Sequence, residues 1–120
     1  MRILLIDDDK DIFALVRIAF RSEPVELIWA ATGLEGLRLF EQNPPDLVLC
    51  DIGLPDVDGV HLAHAISDRQ PNVPLVFLTG HNTDMDREDA KATGARDYIC
   101  KPFDIRELVK RVNAVLAQAQ

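Results

Sequence analysis

Cysteine is scarce: only Cys50 and Cys100 occur in 120 residues, each closing an apolar run just before a charged residue, Asp51 and Lys101. A disulfide scaffold would want more cysteines in a secreted chain, and a zinc site would want more ligands at closer spacing. Both thiols are therefore read as small buried hydrophobes. Long apolar stretches are missing too. No run approaches the ~18 residues of a membrane span, and the start lacks the basic region and long apolar core of a signal peptide. These absences predict a cytoplasmic chain with no membrane partner. Positive charge is in deficit, with 13 Lys and Arg against 20 Asp and Glu and a formal net charge of -7. Direct binding to nucleic acid or an anionic membrane would need a basic footprint to release counterions, so cations and basic surfaces are the better partners.

What is present is an ordinary globular composition, 48% hydrophobic and 28% charged, in a chain long enough for one core and too short for two domains. Residues 1–120 are read as a single domain. Short apolar runs recur as ILLI (3–6), VELIWA (25–30), LVLC (47–50), LVFL (75–78) and YIC (98–100). Most are nearly continuous in hydrophobicity, which fits strands buried on both faces of a parallel sheet. Helical patterns separate them. The first sets Ile12, Phe13, Val16 and Phe20 on one stripe, with Arg17 and Arg21 on its exposed side. Thr32 to Glu35 has capping-box form and opens a helix carrying Leu34, Leu37 and Leu39 that must stop before Pro44 and Pro45. A third helix, from about Val60 to Arg69, offers Leu62, Ala63 and Ile66 for packing. The segment 83–95 has little apolar surface beyond Met85, Ala90 and Ala92, so its packing should be light. Asp104 to Glu107 launches the last helix, striped by Ile105, Leu108, Val109, Val112 and Leu116. This alternation predicts a flavodoxin-like, doubly wound α/β fold: a five-stranded parallel sheet in the order 2-1-3-4-5 with five helices on both faces.

In such a sheet all strands end at one rim, and ligands bind where the strand order reverses, between strands 1 and 3. Strand 1 ends in Asp7 and Asp8, strand 3 in Asp51, strand 4 in Thr79 and strand 5 in Lys101; strand 2 contributes nothing comparable. The run Asp7-Asp8-Asp9 is costly, since two carboxylates about 4 Å apart repel by roughly 4 kcal/mol at the effective dielectric near a protein surface. Either a cation belongs there, or one aspartate caps the next helix while the others are solvated. The convergence at the rim favours the cation. Carboxylates without sulfur or imidazole make a hard-oxygen site, best matched by Mg²⁺. Thr79 and Lys101 suit the holding of a phosphoryl group, and Asp51, alone at a central strand end, is the best placed carboxylate nucleophile.

These residues match a known pattern. The acidic pair in LLIDDD, the segment LVLCDIGLPDVDG, the hydroxyl in VFLTG and the lysine with its proline in DYICKPF together resemble the receiver domain of two-component response regulators over essentially the whole chain. The resemblance implies that Asp51 accepts a phosphoryl group from the phosphohistidine of a histidine kinase or histidine phosphotransfer protein. It implies that Asp7 and Asp8 serve Mg²⁺ directly or through water, with the Gly53 carbonyl completing the protein ligands. Thr79 would swing toward the phosphoryl oxygen, Lys101 would pair with it, and Tyr98 would change rotamer. A cis peptide bond is implied before Pro102. Gly53 and His81 stand where the family tunes the phosphoaspartate's meeting with water, although His81 is read by preference as a solvated loop residue. The surface of helix 4, strand 5 and helix 5 would then change its effector or output partner, phosphorylation-dependent dimerisation included, and no multiple-turnover substrate is expected.

Other features receive plainer readings. His61 and His64 lie at i, i+3 on one helix without a third metal ligand and are read as surface residues. The stretch Asp56-Val57-Asp58-Gly59 imitates the DxDG of haloacid-dehalogenase-like phosphatases, but it follows a turn rather than a strand and is read as a turn plus a helix start. Trp29 either covers the core or is partly exposed as a contact. Gly94 fits a helix C-cap, and Gly80 leaves the crevice open beside Thr79. The competing functions are a Mg²⁺-dependent phosphatase working through Asp51, for which the chain lacks an enclosing cap, and a pseudo-receiver, which should have lost a key residue. A flavodoxin proper fits less well, because the loop after strand 1 is acidic.

Overall fold

The computed structural model describes residues 1–80 and 84–119, with the backbone alone for 84–86. Along the chain run β1 (Arg2–Ile6), α1 (Lys10–Ala19), β2 (Glu26–Ala30), α2 (Gly33–Gln42), β3 (Leu47–Cys50), α3 (Gly59–Arg69), β4 (Leu75–Thr79), α4 (Asp84–Ala92), β5 (Asp97–Cys100) and α5 (Ile105–Ala119). The strands form one sheet in the order β2-β1-β3-β4-β5, every neighbouring pair parallel. The architecture is thus the flavodoxin-like one that the alternating pattern predicts. No described helix is long and apolar enough to cross a membrane.

Successive strand residues point to opposite faces, so the continuous apolar runs feed two separate layers. Ile3, Leu5, Leu47, Leu49, Val76 and Leu78 join Val16 of α1, its C-cap Phe20 and Leu108, Val112, Val115 and Leu116 of α5 on one face. Leu4, Ile6, Val48, Cys50 and Phe77 join Phe40, Leu62, Ala63, Ile66 and Ala90 on the other. The three central strands have every apolar residue buried, whereas the edge strands β2 and β5 are only partly covered.

Some packing differs from expectation. Leu34 is 63% exposed. The face of α2 that enters the layer is instead Gly33, Gly36 and Phe40, because the helix lies so close to β1 that a Cβ on Gly36 would stand 2.6 Å from Ile6 Cδ1. Ala92 is exposed while Ala90 is buried, so of these two expected packing residues only Ala90 enters the core; the Met85 side chain lies outside the described residues. Cys50 is buried, and that burial pushes its thiol far above the ordinary range, with Asp51 and Asp7 adding to the effect. Cys100 is not the buried hydrophobe expected. It is half-exposed on the edge strand, with Arg87 Nη2 3.1 Å from its Sγ. Gly94, at φ +83°, follows α4 in the left-handed conformation that glycine tolerates.

Candidate functional site

The acidic run divides its labour. Asp9 is the N-cap of α1, its side chain accepting from the Asp11 N–H at 2.8 Å. The capping reading therefore holds for this one residue. Asp7 and Asp8 remain at the rim with Asp51, and the three carboxylates offer oxygens that all lie within 4.8 Å of one another. Asp7 and Asp51 are buried and Asp8 is exposed, so the cluster opens to solvent on one side.

Parallel register carries these groups together. The Asp7 N–H donates to Ala30 O at 3.0 Å and the Asp51 N–H to Ile6 O at 2.9 Å, continuing the ladders one residue past the strand ends. Thr79, buried at the end of β4, accepts through its carbonyl from the Lys101 N–H at 2.9 Å. The Lys101–Pro102 peptide bond is cis. From the end of β5, Lys101 Nζ reaches back over the rim to Asp7 Oδ2 at 2.7 Å and Asp51 Oδ2 at 3.2 Å. Tyr98 lies on β5 with its ring 6.3 Å from that of Phe77 and under the Arg87 guanidinium. Gly53 sits just beyond Asp51, its N–H 3.3 Å from Asp51 Oδ1. His81 lies outside the described residues, whereas His61 and His64 are exposed on α3.

The electrostatics are unbalanced. Burial raises the Asp7 carboxyl above its ordinary value, more than the Lys101 ammonium and the Asp9 N–H lower it, and the nearby Asp51 adds to the rise. Burial likewise opposes charge on Lys101, yet Asp7 and Asp51 outweigh it and hold the ammonium protonated above its ordinary value. Among the described residues, Lys101 thus pairs with two of the three clustered carboxylates and leaves the cluster with surplus negative charge. An all-oxygen set with surplus negative charge, open on one side, fits a hard divalent cation that keeps some of its waters.

Three supporting contacts, those of Trp29, Gly59 and Asp56, escape a reading of the sequence alone. Trp29 Nε1 donates to the Asp7 carbonyl at 2.8 Å while its ring stacks on Phe13 at 4.5 Å, so the half-buried tryptophan covers the core and braces the rim. Gly59 permits the closest backbone approach at the site, since a Cβ there would stand 2.2 Å from the Asp51 carbonyl oxygen. Asp58 caps α3 through the Val60 N–H, as a turn plus helix start requires. Its neighbour Asp56 does something different, accepting from the Gly33 and Leu34 N–H groups at 2.8 and 2.9 Å. The short spacing in DVDG carried the first contact; nothing local carried the second.

Comparison with known proteins agrees with this geometry. The family model described as the response regulator receiver domain matches residues 3–113. The transcriptional regulatory protein TrcR of Mycobacterium tuberculosis is 35% identical over 119 residues, covering 99% of this chain and 46% of that protein. PrrA of the same organism is 37% identical over 115 residues, covering 96% and 49%. The chain therefore spans about half the length of these curated relatives. Among solved structures, a CheY-like receiver domain protein from Methanospirillum hungatei superposes with a TM-score of 0.94 at 31% identity, covering 98% of this chain and 94% of that one. An acidic rim at the switch point of a β2-β1-β3-β4-β5 sheet, a lysine bridging it and a match over nearly the full length lead to one conclusion: this chain belongs to the response regulator receiver domain family of two-component signalling.

Proposed function

We propose that this chain is a phosphoacceptor switch in which a carboxylate oxygen of Asp51 attacks the phosphorus of a phosphohistidine on a histidine kinase or histidine phosphotransfer protein. The P–N bond breaks as the P–O bond forms, and the leaving imidazole keeps the electron pair and takes up a proton from solvent. The observation that carries this reading is Lys101 Nζ, 2.7 Å from Asp7 and 3.2 Å from Asp51 at the rim of the sheet. An ammonium already desolvated and aimed at the acceptor can follow the negative charge that arrives with the phosphoryl group, with little reorganisation. Asp7, Asp8, Asp51 and the Gly53 carbonyl are the groups to hold Mg²⁺. When bound, the ion neutralises the phosphoryl oxygens and the clustered carboxylates.

The protein's own part is positioning. Asp51 is fixed by its ladder bond to Ile6 and by the close approach of Gly59, so the acceptor oxygen needs little ordering before attack. Thr79, at the neighbouring strand end, turns its hydroxyl toward the new phosphoryl group. Tyr98, adjoining Phe77 and Arg87, transmits that movement to the surface of α4, β5 and α5, where a cytoplasmic effector, an output domain or a second copy is engaged. The domain is a stoichiometric switch, and Gly53, two residues beyond the acceptor, sets how readily water reaches the phosphoaspartate.

Intact-mass measurement after treatment with acetyl phosphate tests the reading. A gain of one phosphoryl group that requires Mg²⁺, is blocked by EDTA and disappears in Asp51→Asn is the expected result. No gain, a gain that survives Asp51→Asn, or continuous release of phosphate from many esters in excess would overturn it.

A further inference from the structure

The proposed chemistry depends on where the β3–α3 loop, residues 51–58, sits. Its ends are well held. Asp51 is tied to β1, and Asp58 caps α3 beside Gly59. Between them the loop's own bonds are all short-range: the Gly53 N–H on Asp51 Oδ1 at 3.3 Å, the Leu54 N–H on Ile52 O at 3.1 Å, the Gly59 N–H on Ile52 O at 2.9 Å and the bridge pairing Gly53 with Asp58. The apex leans instead on the first turn of α2.

That joint is close and specific. The Asp56 carboxylate takes the Gly33 N–H on Oδ1 at 2.8 Å and the Leu34 N–H on Oδ2 at 2.9 Å. The helix's own cap, Thr32, takes a different donor, the Glu35 N–H at 3.2 Å. Helix start and loop carboxylate therefore divide the exposed amides between them, in the orientation that the helix dipole favours. Gly33 is the flat surface on which the loop rests. A Cβ there would come to 2.1 Å from Val57 Cγ2, 3.3 Å from Asp56 Oδ1 and 3.4 Å from Leu54 Cδ1. The two N–H donors hold the Asp56 carboxyl below its ordinary value, Leu34 contributing most.

We propose that Asp56 is a positioning residue for the acceptor site: by clamping the loop apex to the N-terminus of α2, it fixes the Gly53 carbonyl relative to Asp7, Asp8 and Asp51. The assignment rests on the metal and phosphoacceptor reading above. Gly53 stands between the tied Asp51 and the clamped Asp56, so releasing Asp56 removes the outer anchor and leaves the Gly53 carbonyl held only by the loop's own short-range bonds, with the three carboxylates still on their strand ends. Groups that orient metal ligands in this indirect way typically govern affinity by 10-fold or more.

Calorimetric titration with MgCl2 of wild type, Asp56→Ala, Asp56→Asn and Thr32→Ala tests this, with thermal unfolding and amide hydrogen exchange at Gly33 and Leu34 recorded on each. Asp56→Ala is expected to raise the Mg²⁺ Kd about 10-fold and to expose both amides to exchange. Asp56→Asn, which keeps the shape and one acceptor oxygen, should recover part of the affinity. Thr32→Ala removes the other cap of the same helix; it should lower Tm yet leave the Kd unchanged, which separates positioning from mere helix stability. Should Asp56→Ala not fold, Gly33→Ala opens the joint from the helix side and should weaken Mg²⁺ in the same way. If wild type binds Mg²⁺ and folded Asp56→Ala binds it within about twofold, or Thr32→Ala weakens binding as much, the positioning role is overturned while the metal site stands. If wild type itself takes up no Mg²⁺, the metal reading falls and the positioning role falls with it.

Discussion

Asp7 is the residue on which charge balance turns. Its folded carboxyl sits above the ordinary value of 3.8, so the unfolded chain ionises first as pH rises and ionisation costs the fold stability. That cost begins near the ordinary value and is complete once pH exceeds the folded one. Asp7→Asn is therefore expected to stabilise the metal-free protein at neutral pH, with the gain vanishing in acid, and to abolish stabilisation by Mg²⁺. Urea titrations across pH, with and without the ion, measure both effects. Lys101→Met should do the opposite. With the lysine side chain 17% exposed and that of Asp7 fully buried, removing the cation strands a buried carboxylate at a cost of roughly 3 kcal/mol. The double variant with Asp7→Asn should recover much of that loss, a coupling that two independent sites would not show.

At the scale of single elements, caps and close contacts decide more than propensity. Asp58→Ala removes the acceptor for the Val60 N–H and should lower stability by about 1 kcal/mol, read by chemical denaturation. Asp56→Asn tests the α2 joint through pH. A carboxyl held below its ordinary value of 3.8 contributes stability that is present above that value and lost as pH falls through the folded one. The variant should thus be less stable than wild type at neutral pH and converge with it in acid. These same contacts mark where sequence stops being legible. The five strand runs lie within one residue of the observed strands, and Asp9, Thr32 and Asp58 are caps of the expected kind. Leu34, by contrast, looks like a core residue by spacing and is exposed, because Gly33 and Gly36 let α2 pack through its backbone. The partners of Asp56 are more than 20 residues away in the chain, so no local pattern announces them.

The molecule as a whole is two helix layers on either side of a sheet whose chemistry is confined to one rim. That rim is legible in the sequence, because parallel topology sends Asp7, Asp8, Asp51, Thr79 and Lys101 to the same edge and the alternating apolar runs point to that topology. What the order of strands did not convey was the packing around the rim: Trp29 on the Asp7 carbonyl, Gly59 against Asp51, the loop on α2. The separation of Leu116 and Ile66 into different clusters has a measurable result. Leu116→Ala should cost about 2–5 kcal/mol and Ile66→Val about 1 kcal/mol, and the double variant should cost their sum to within about 0.5 kcal/mol, checked by urea denaturation of all three proteins. The sheet acts as a bulkhead: a void opened behind one wall finds no neighbour in common with the other, so each half of the interior can drift in composition without renegotiating its opposite.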